Sequence, residues 1–181
     1  MDLGCGGGAL APHVPEGYEH HGIDLNGRAL AQAADRGVLA LHADVLAVPL
    51  PDGFADVVVA GELLEHIADV EGVVAEVARL LRPGGTAVVD TIADTRWARF
   101  SLVTVAERLP GGPPPRIHDP ALFVSPDRLR RAFEDHRMTI HLNGLRPHPI
   151  DYVRFLRDRG RTVRMVPTTS LAGVYQGWSV K

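Results

Sequence analysis

Five consecutive residues, Glu62-Leu63-Leu64-Glu65-His66, gather the side chains best suited to chemistry. If the segment is helical, Glu62, Glu65 and His66 fall at i, i+3 and i+4 on one face. Two carboxylates and an imidazole so placed can hold a divalent cation such as Mg, or act as general bases. The plainer alternative has Glu62 reaching a bound cofactor from a loop while Glu65 and His66 cap or orient the helix. His118-Asp119 is a second candidate pair, either a base facing a substrate or a loop pair that fixes its neighbourhood. The other histidines, His13, His20, His21, His42, His136, His141 and His148, share no spacing and read as surface or packing residues.

A different chemistry is written at the start of the chain. Gly4-Cys5-Gly6-Gly7-Gly8 follows Met1-Asp2-Leu3, a strand end entering a turn that only glycines tolerate and that lets backbone approach a ligand closely. The pattern fits a dinucleotide turn, but Asp2 just ahead of it repels a pyrophosphate and suits a ligand carrying an ammonium or sulfonium group. Asp24 closes the next apolar run, Gly22 to Leu25, where a carboxylate can accept from both hydroxyls of a ribose. Asp44 closes a third run, Val38 to Ala43, where it can accept from an adenine amino group. Three acids at consecutive strand ends outline a binding edge. Cys5, the single cysteine, reads as a small filler within the turn rather than a nucleophile.

These residues need a sheet to hold them. Asn26 is a natural N-cap for an Ala-rich helix from Arg28 to Arg36, stopped by Gly37. Phe54 to Ala60 reads as a fourth strand leading into a helix near Glu62 to Ile67. Val70, Val73, Val74, Val77, Leu80 and Leu81 have the spacing of a helix packing one face on a sheet, and Thr86 to Ile92 is a fifth strand. Strands alternating with helices at this pitch predict a parallel sheet covered on both faces. Beyond it, Arg96 to Leu109 is amphipathic and basic, and Pro110 to Pro115 is a stiff linker. Ser125-Pro126-Asp127 caps a helix to about His136, Thr139 to Leu142 is a candidate strand, Ile150 to Arg159 a helix, and Leu171 to Val180 a final strand.

The 181 residues are 45% hydrophobic and 23% charged, the composition of a globular chain with a core, and no stretch is apolar for the roughly 18 residues that a spanning helix needs. One cysteine excludes an internal disulfide framework, and no leader-like segment opens the chain, so the cytoplasm is the expected compartment. The net charge of −3 hides an asymmetry: residues 1–90 carry 14 acids against 4 bases, residues 91–181 carry 8 against 15. Only Lys181 among the bases is lysine, a pattern of codon usage rather than of nucleic-acid binding, and no nucleic-acid partner is expected.

Asp2-Leu3-Gly4-Cys5-Gly6-Gly7-Gly8, Gly22-Ile23-Asp24-Leu25-Asn26 and Leu80-Leu81-Arg82-Pro83-Gly84-Gly85, in this order, resemble the successive motifs of class I S-adenosylmethionine-dependent methyltransferases. The resemblance implies an α/β, doubly wound, Rossmann-like sheet, mostly parallel with an antiparallel last strand. It also implies S-adenosyl-L-methionine as cofactor: Gly4, Gly6 and Gly8, with Asp2 and Cys5, at its methionine part, Asp24 and Leu25 at the ribose, Asp44 and Val45 at the adenine, and Glu62 beside it. Glu62 to His66, the Arg-Pro-Gly-Gly segment, and His118-Asp119 with Phe123, Pro126 and Leu129 are similar to the O-methyltransferases of ubiquinone biosynthesis. That similarity implies O-methylation of a phenol, catechol or hydroquinol, with Glu62, His66 and His118 as candidate catalytic residues and Glu62, Glu65 and His66 as ligands for a divalent metal. A natural-product O-methyltransferase, a C-methyltransferase and a non-catalytic cofactor-binding remnant are the alternatives.

One domain is expected over 1–181, divided into a cofactor half (1–94), a lid or insertion (95–126) and closing elements (127–181). The insertion, with Trp97 and Phe100 in 96–109, is either a lid on the substrate pocket or a peripheral membrane contact. Segment 150–166 has no counterpart in the ubiquinone enzymes. The first strand retains only three residues before the turn, which predicts that the natural reading frame begins upstream of Met1 and that the amino-terminal part of the fold is missing.

Overall fold

In the computed structural model, which describes residues 1–108 and 117–181, eight strands form one sheet in the order 3-2-1-4-5-8-6-7. The first five are β1 (Asp2–Leu3), β2 (His21–Asp24), β3 (Leu39–His42), β4 (Ala55–Ala60) and β5 (Leu81–Ile92), all paired in parallel. β6 (His141–Pro147), β7 (Met165–Thr168) and β8 (Val174–Val180) complete it in antiparallel register. Strand β1 lies between β2 and β4, so the glycine turn emerges where the order of strands reverses, the place where doubly wound sheets bind ligands.

The helices follow from capping and periodicity. Helix α1 (Gly27–Asp35) starts where the Asn26 side chain accepts from the backbone of Arg28 and Ala29. Helix α2 (Val70–Leu80) is capped by Asp69 and buries Val70, Val73, Val74, Val77 and Leu80, the stripe its spacing foretells. Each such side chain contributes about 1.5–3 kcal/mol on leaving water. From the same helix Glu76 accepts from the Val48 N–H, and Arg79 reaches the carbonyls of Val48 and Leu50 and the carboxylate of Asp52. This set ties the loop after β3 to α2 and thereby fixes Asp44 and Val45.

α3 (Arg96–Ala98) starts on a Thr95 cap and continues as a π-helix, Arg99–Val105, and a 3-10 turn, Ala106–Arg108. α4 (Pro126–Glu134) is capped by Ser125, and α5 (Pro149–Arg157) by His148. α2 and α4 are joined by the Arg128 guanidinium, which takes both carboxylate oxygens of Glu71.

Several expectations change. The segment after β4 is a 3-10 turn, Leu64–His66, rather than a helix. The candidate strand at Thr139 lies two residues later, β8 begins at Val174 rather than Leu171, and β7, at the end of the unmatched segment, has no sequence signal strong enough to single it out. The expected covering of both sheet faces is incomplete among the described residues. Along β5 and β8, Ala87, Val89, Thr91, Tyr175, Gly177 and Ser179 are buried, while Val88, Trp178 and Val180 on the other face are 37–48% exposed. Antiparallel strands tolerate one wet face, and these two strands are an antiparallel pair. The proline linker, Pro110 to Pro115, lies outside the described residues.

Candidate functional site

The glycine turn is shaped by backbone that other residues resist. Gly4, Gly6 and Gly8 have φ of 71°, 48° and 75°. A Cβ at Gly4 would stand 2.8 Å from Leu63 Cδ1, and one at Gly8 3.0 Å from the Ala33 backbone, so both positions are closed by the fold. A Cβ at Gly6 meets nothing within 4 Å. Its open side is the cradle, where a ligand can lie against bare backbone.

Asp24 locks this turn to the end of β2. Its Oδ2 accepts from the Gly6 N–H at 2.9 Å and its Oδ1 from the Asn26 N–H at 2.7 Å. Each carboxylate oxygen has a second lone pair, which leaves acceptor capacity for a ribose diol. Asp44 is exposed at the end of the next strand, its Oδ1 accepting from Leu46 N–H and its Oδ2 without a partner among the described residues. Leu25 is 62% exposed beside them, an apolar surface at a polar edge, whereas Val45 is buried beneath.

Asp2, read from the sequence as a cofactor contact, is held against His20 at the start of the turn. Its carboxylate is buried and lies 3.3 Å from His20 Nε2, with burial pushing its pKa up against the opposing pull of that imidazole. Cys5 packs in a small cluster with Leu30, Ala33 and Val38, and burial pushes its thiol up to about 11, which makes it inert filler.

The acidic motif after β4 is divided by β5. Successive strand residues point to opposite faces, and two neighbours on β5 take hold of the motif from two sides. The Glu62 N–H donates to Asp90 Oδ1 at 2.8 Å, and the Thr91 hydroxyl donates to Glu65 Oε2 at 2.9 Å. Glu65 has no exposed surface, and burial, reinforced by the charges of Glu62 and Asp90, raises its pKa to about 7. Glu62 is exposed and has a left-handed backbone, φ 50°. His66 is exposed on the far side of the turn, its ring stacked on His118 with centroids 6.2 Å apart and planes within 15°. His118 in turn meets the edge of the buried Phe123. Burial and the neighbouring His118 lower the pKa of His66. Asp119 caps the turn Pro120–Leu122, which fits the reading of a loop-fixing residue.

The expected metal trio is therefore not assembled. Helical spacing would align Glu62, Glu65 and His66, but the segment is a 3-10 turn in which Glu65 is buried while Glu62 and His66 are exposed. Among the described residues no three His, Cys, Asp or Glu side chains converge on a cation position. Sequence reasoning also missed Asp90. Its signal was a carboxylate in the apolar run Val88-Val89-Asp90-Thr91-Ile92, a position that strands disfavour.

A family profile described as a methyltransferase domain matches residues 1–89. The ubiquinone biosynthesis O-methyltransferase of Burkholderia vietnamiensis is 33% identical over 162 residues, covering 83% of this chain and 68% of the relative. The chain belongs to the S-adenosylmethionine-dependent methyltransferases. The enzyme of the same name from Cupriavidus pinatubonensis is 32% identical over 162 residues, 84% of this chain; the chain spans 65% of that relative's length. A solved methyltransferase of Thermotoga maritima, described as a possible histamine N-methyltransferase, superposes with a TM-score of 0.72 over 99% of this chain and 80% of its own, at 17% identity. That likeness is one of fold. The open side of Gly6, the spare lone pairs of Asp24 and Asp44 and the bare surface of Leu25 fit the family's cofactor, S-adenosylmethionine.

Proposed function

We propose that the chain transfers a methyl group from S-adenosylmethionine to a hydroxyl of a phenol, catechol or hydroquinol. The observation that carries this reading is the Asp24 carboxylate binding the Gly6 amide at the switch point of the sheet, with Asp44 at the neighbouring strand end. In this reading Gly4, Gly6 and Gly8 line the methionine part, Asp24 and Leu25 the ribose, and Asp44 and Val45 the adenine. Asp2 and Cys5 support the turn, and Glu62 faces the cofactor from the end of β4.

When bound, the cofactor supplies a methyl group made electrophilic by its sulfonium. The protein's own task is alignment of an acceptor oxygen and removal of its proton. A phenol with a pKa of about 10 is mostly protonated near neutrality. His66, whose pKa is held low, is a neutral imidazole there and able to take that proton, with His118 stacked beside it. Since Glu62, Glu65 and His66 do not converge on one cation position among the described residues, no step is assigned to a metal.

The insertion supports an acceptor with apolar bulk. Trp97, Phe100 and Val105 on its helical segment face Leu145, Tyr152 and Met165 across a cavity of about 610 Å³, a volume typical of ligand pockets. We read the segment as a lid on the acceptor side, with peripheral membrane contact where the acceptor is a lipid. No helix among the described residues is long and apolar enough to cross a membrane.

The test is direct. Calorimetric titration with S-adenosylhomocysteine should show binding. Incubation with S-adenosylmethionine and a panel of catechols and polyprenyl phenols should yield a product heavier by one methylene in the mass spectrum. Binding without any methylated product would leave a cofactor-binding module and overturn the enzymatic reading.

A further inference from the structure

We propose that Asp90 is a positioning residue for Glu62, its carboxylate holding the turn at the end of β4 in the left-handed backbone from which Glu62 faces the cofactor. The inference rests on the methyltransferase reading above and adds a residue to it.

Among the described non-glycine residues only Glu62 and Arg137 have positive φ. Arg137 follows the end of α4, where a left-handed residue commonly closes a helix. Glu62 has no helix to close, and the left-handed conformation is strained for a residue with a side chain. Strain of this kind persists where the surroundings over-determine it. Asp90 is what over-determines it here. Its Oδ1 accepts the Glu62 N–H at 2.8 Å, and a Cβ on Gly61 would lie 3.3 Å from its Oδ2, so the carboxylate sits directly against both residues of the turn.

Among the described residues no cation favours an acid at this position. Asp90 lies third from the carboxyl end of β5, pairs across the sheet with Gln176, and forms no ion pair among the described residues. Glu62 and Glu65 add negative charge nearby. A half-buried carboxylate with two acidic neighbours is an expensive way to stabilise a strand. It is an effective way to hold one backbone N–H, since hydrogen bonds to charged acceptors are the stronger ones. Thr91, the next residue, anchors Glu65 from the opposite face, so the turn is clamped on both sides of β5.

The experiment compares Asp90→Asn, whose Oδ1 still accepts, with Asp90→Leu, which has nearly the same shape and no acceptor. Dissociation constants for S-adenosylhomocysteine are measured by calorimetry and kcat/KM by product formation, each also in a Glu62→Gly background. Asp90→Asn should stay within about twofold of wild type, and Asp90→Leu should bind about tenfold more weakly, equivalent to about 1.4 kcal/mol. Glycine reaches positive φ unaided, so in the Glu62→Gly background the same change should cost less than about twofold. Equal losses in both backgrounds, or equal losses for Asn and Leu, would overturn the positioning role. If Asp90→Leu does not fold, Asp90→Ala and the Asn arm carry the comparison, and Ala binding as tightly as wild type overturns it too. Failure of the wild type to bind the cofactor product would instead remove the functional reading itself.

Discussion

The Thr91 hydroxyl donates to Oε2 of Glu65, a carboxyl group with no exposed surface whose other oxygen has no partner among the described residues. One hydrogen bond is little compensation for a buried acid, and the pKa of Glu65 rises from 4.5 to about 7 in consequence.

Stability should therefore decline with rising pH in a way traceable to this residue. Between about pH 4.5 and pH 7 the folded chain keeps a proton that the unfolded chain has released, so the folded state is favoured at the acid end of that window and loses the advantage as pH rises through 7. The full effect above pH 7 is on the order of 3 kcal/mol. Glu65→Gln keeps an acceptor for Thr91 and never ionises. Its melting temperature should exceed that of the wild type by a margin that widens from about pH 5.5 to about pH 8. A constant margin across that range would show that Glu65 does not titrate there.

The turn glycines should separate folding from binding. Gly4→Ala places a Cβ 2.8 Å from Leu63 and should lower stability by about 2 kcal/mol or more. Gly6→Ala places it in open space, so thermal stability should fall by only about 1–2 kcal/mol, while affinity for S-adenosylhomocysteine drops at least about tenfold. Thermal melts and calorimetry on the two variants check both halves.

Methyl transfer should be indifferent to chelators. Glu65 is buried against Thr91, and among the described residues no three such side chains, Glu62 and His66 included, converge on a cation position. Activity in excess EDTA should match activity in Mg to within about twofold, and Glu65→Gln should retain it. A chelator-sensitive activity restored by Mg would show that the turn rearranges to gather the three side chains.

The lid reading predicts an effect on acceptor rather than cofactor. Trp97 and Phe100, 61% and 55% exposed, line the apolar cavity, and replacing both with Ala should raise KM for a prenylated phenol about tenfold while the affinity for S-adenosylhomocysteine is unchanged. Liposome flotation of the same variant against wild type reports whether these residues also meet lipid. Equal, negligible recovery of both would remove the membrane contact.

The cofactor half was legible in the sequence because its signals are backbone signals. Glycines at positions 4, 6 and 8 announce positive φ, Asn26 announces a helix start, and Asp24 and Asp44 end apolar runs; each is readable without knowing what lies opposite. The acidic motif was misread because the fate of Glu62 and Glu65 is decided by β5, roughly 26 residues away in the chain. A helical projection of residues 62–66 carries no trace of Asp90 and Thr91. Strands β6 and β7 were obscure for a related reason. Gly144, Pro147 and Pro167 interrupt the alternation, and their pairing is set by contact with β8 and with each other.

The residues read as holding the donor and those read as meeting the acceptor fall on opposite sides of the passage from β4 to β5. Everything assigned to the donor, from Gly4 to Glu62, precedes β5; the lid, the cavity walls and the stacked partner of His66 follow it. On the proposed reading, mutations after residue 93 reshape the acceptor end and leave the donor turn in place. A chain so partitioned can drift toward new acceptors one substitution at a time and remain a methyltransferase at every step.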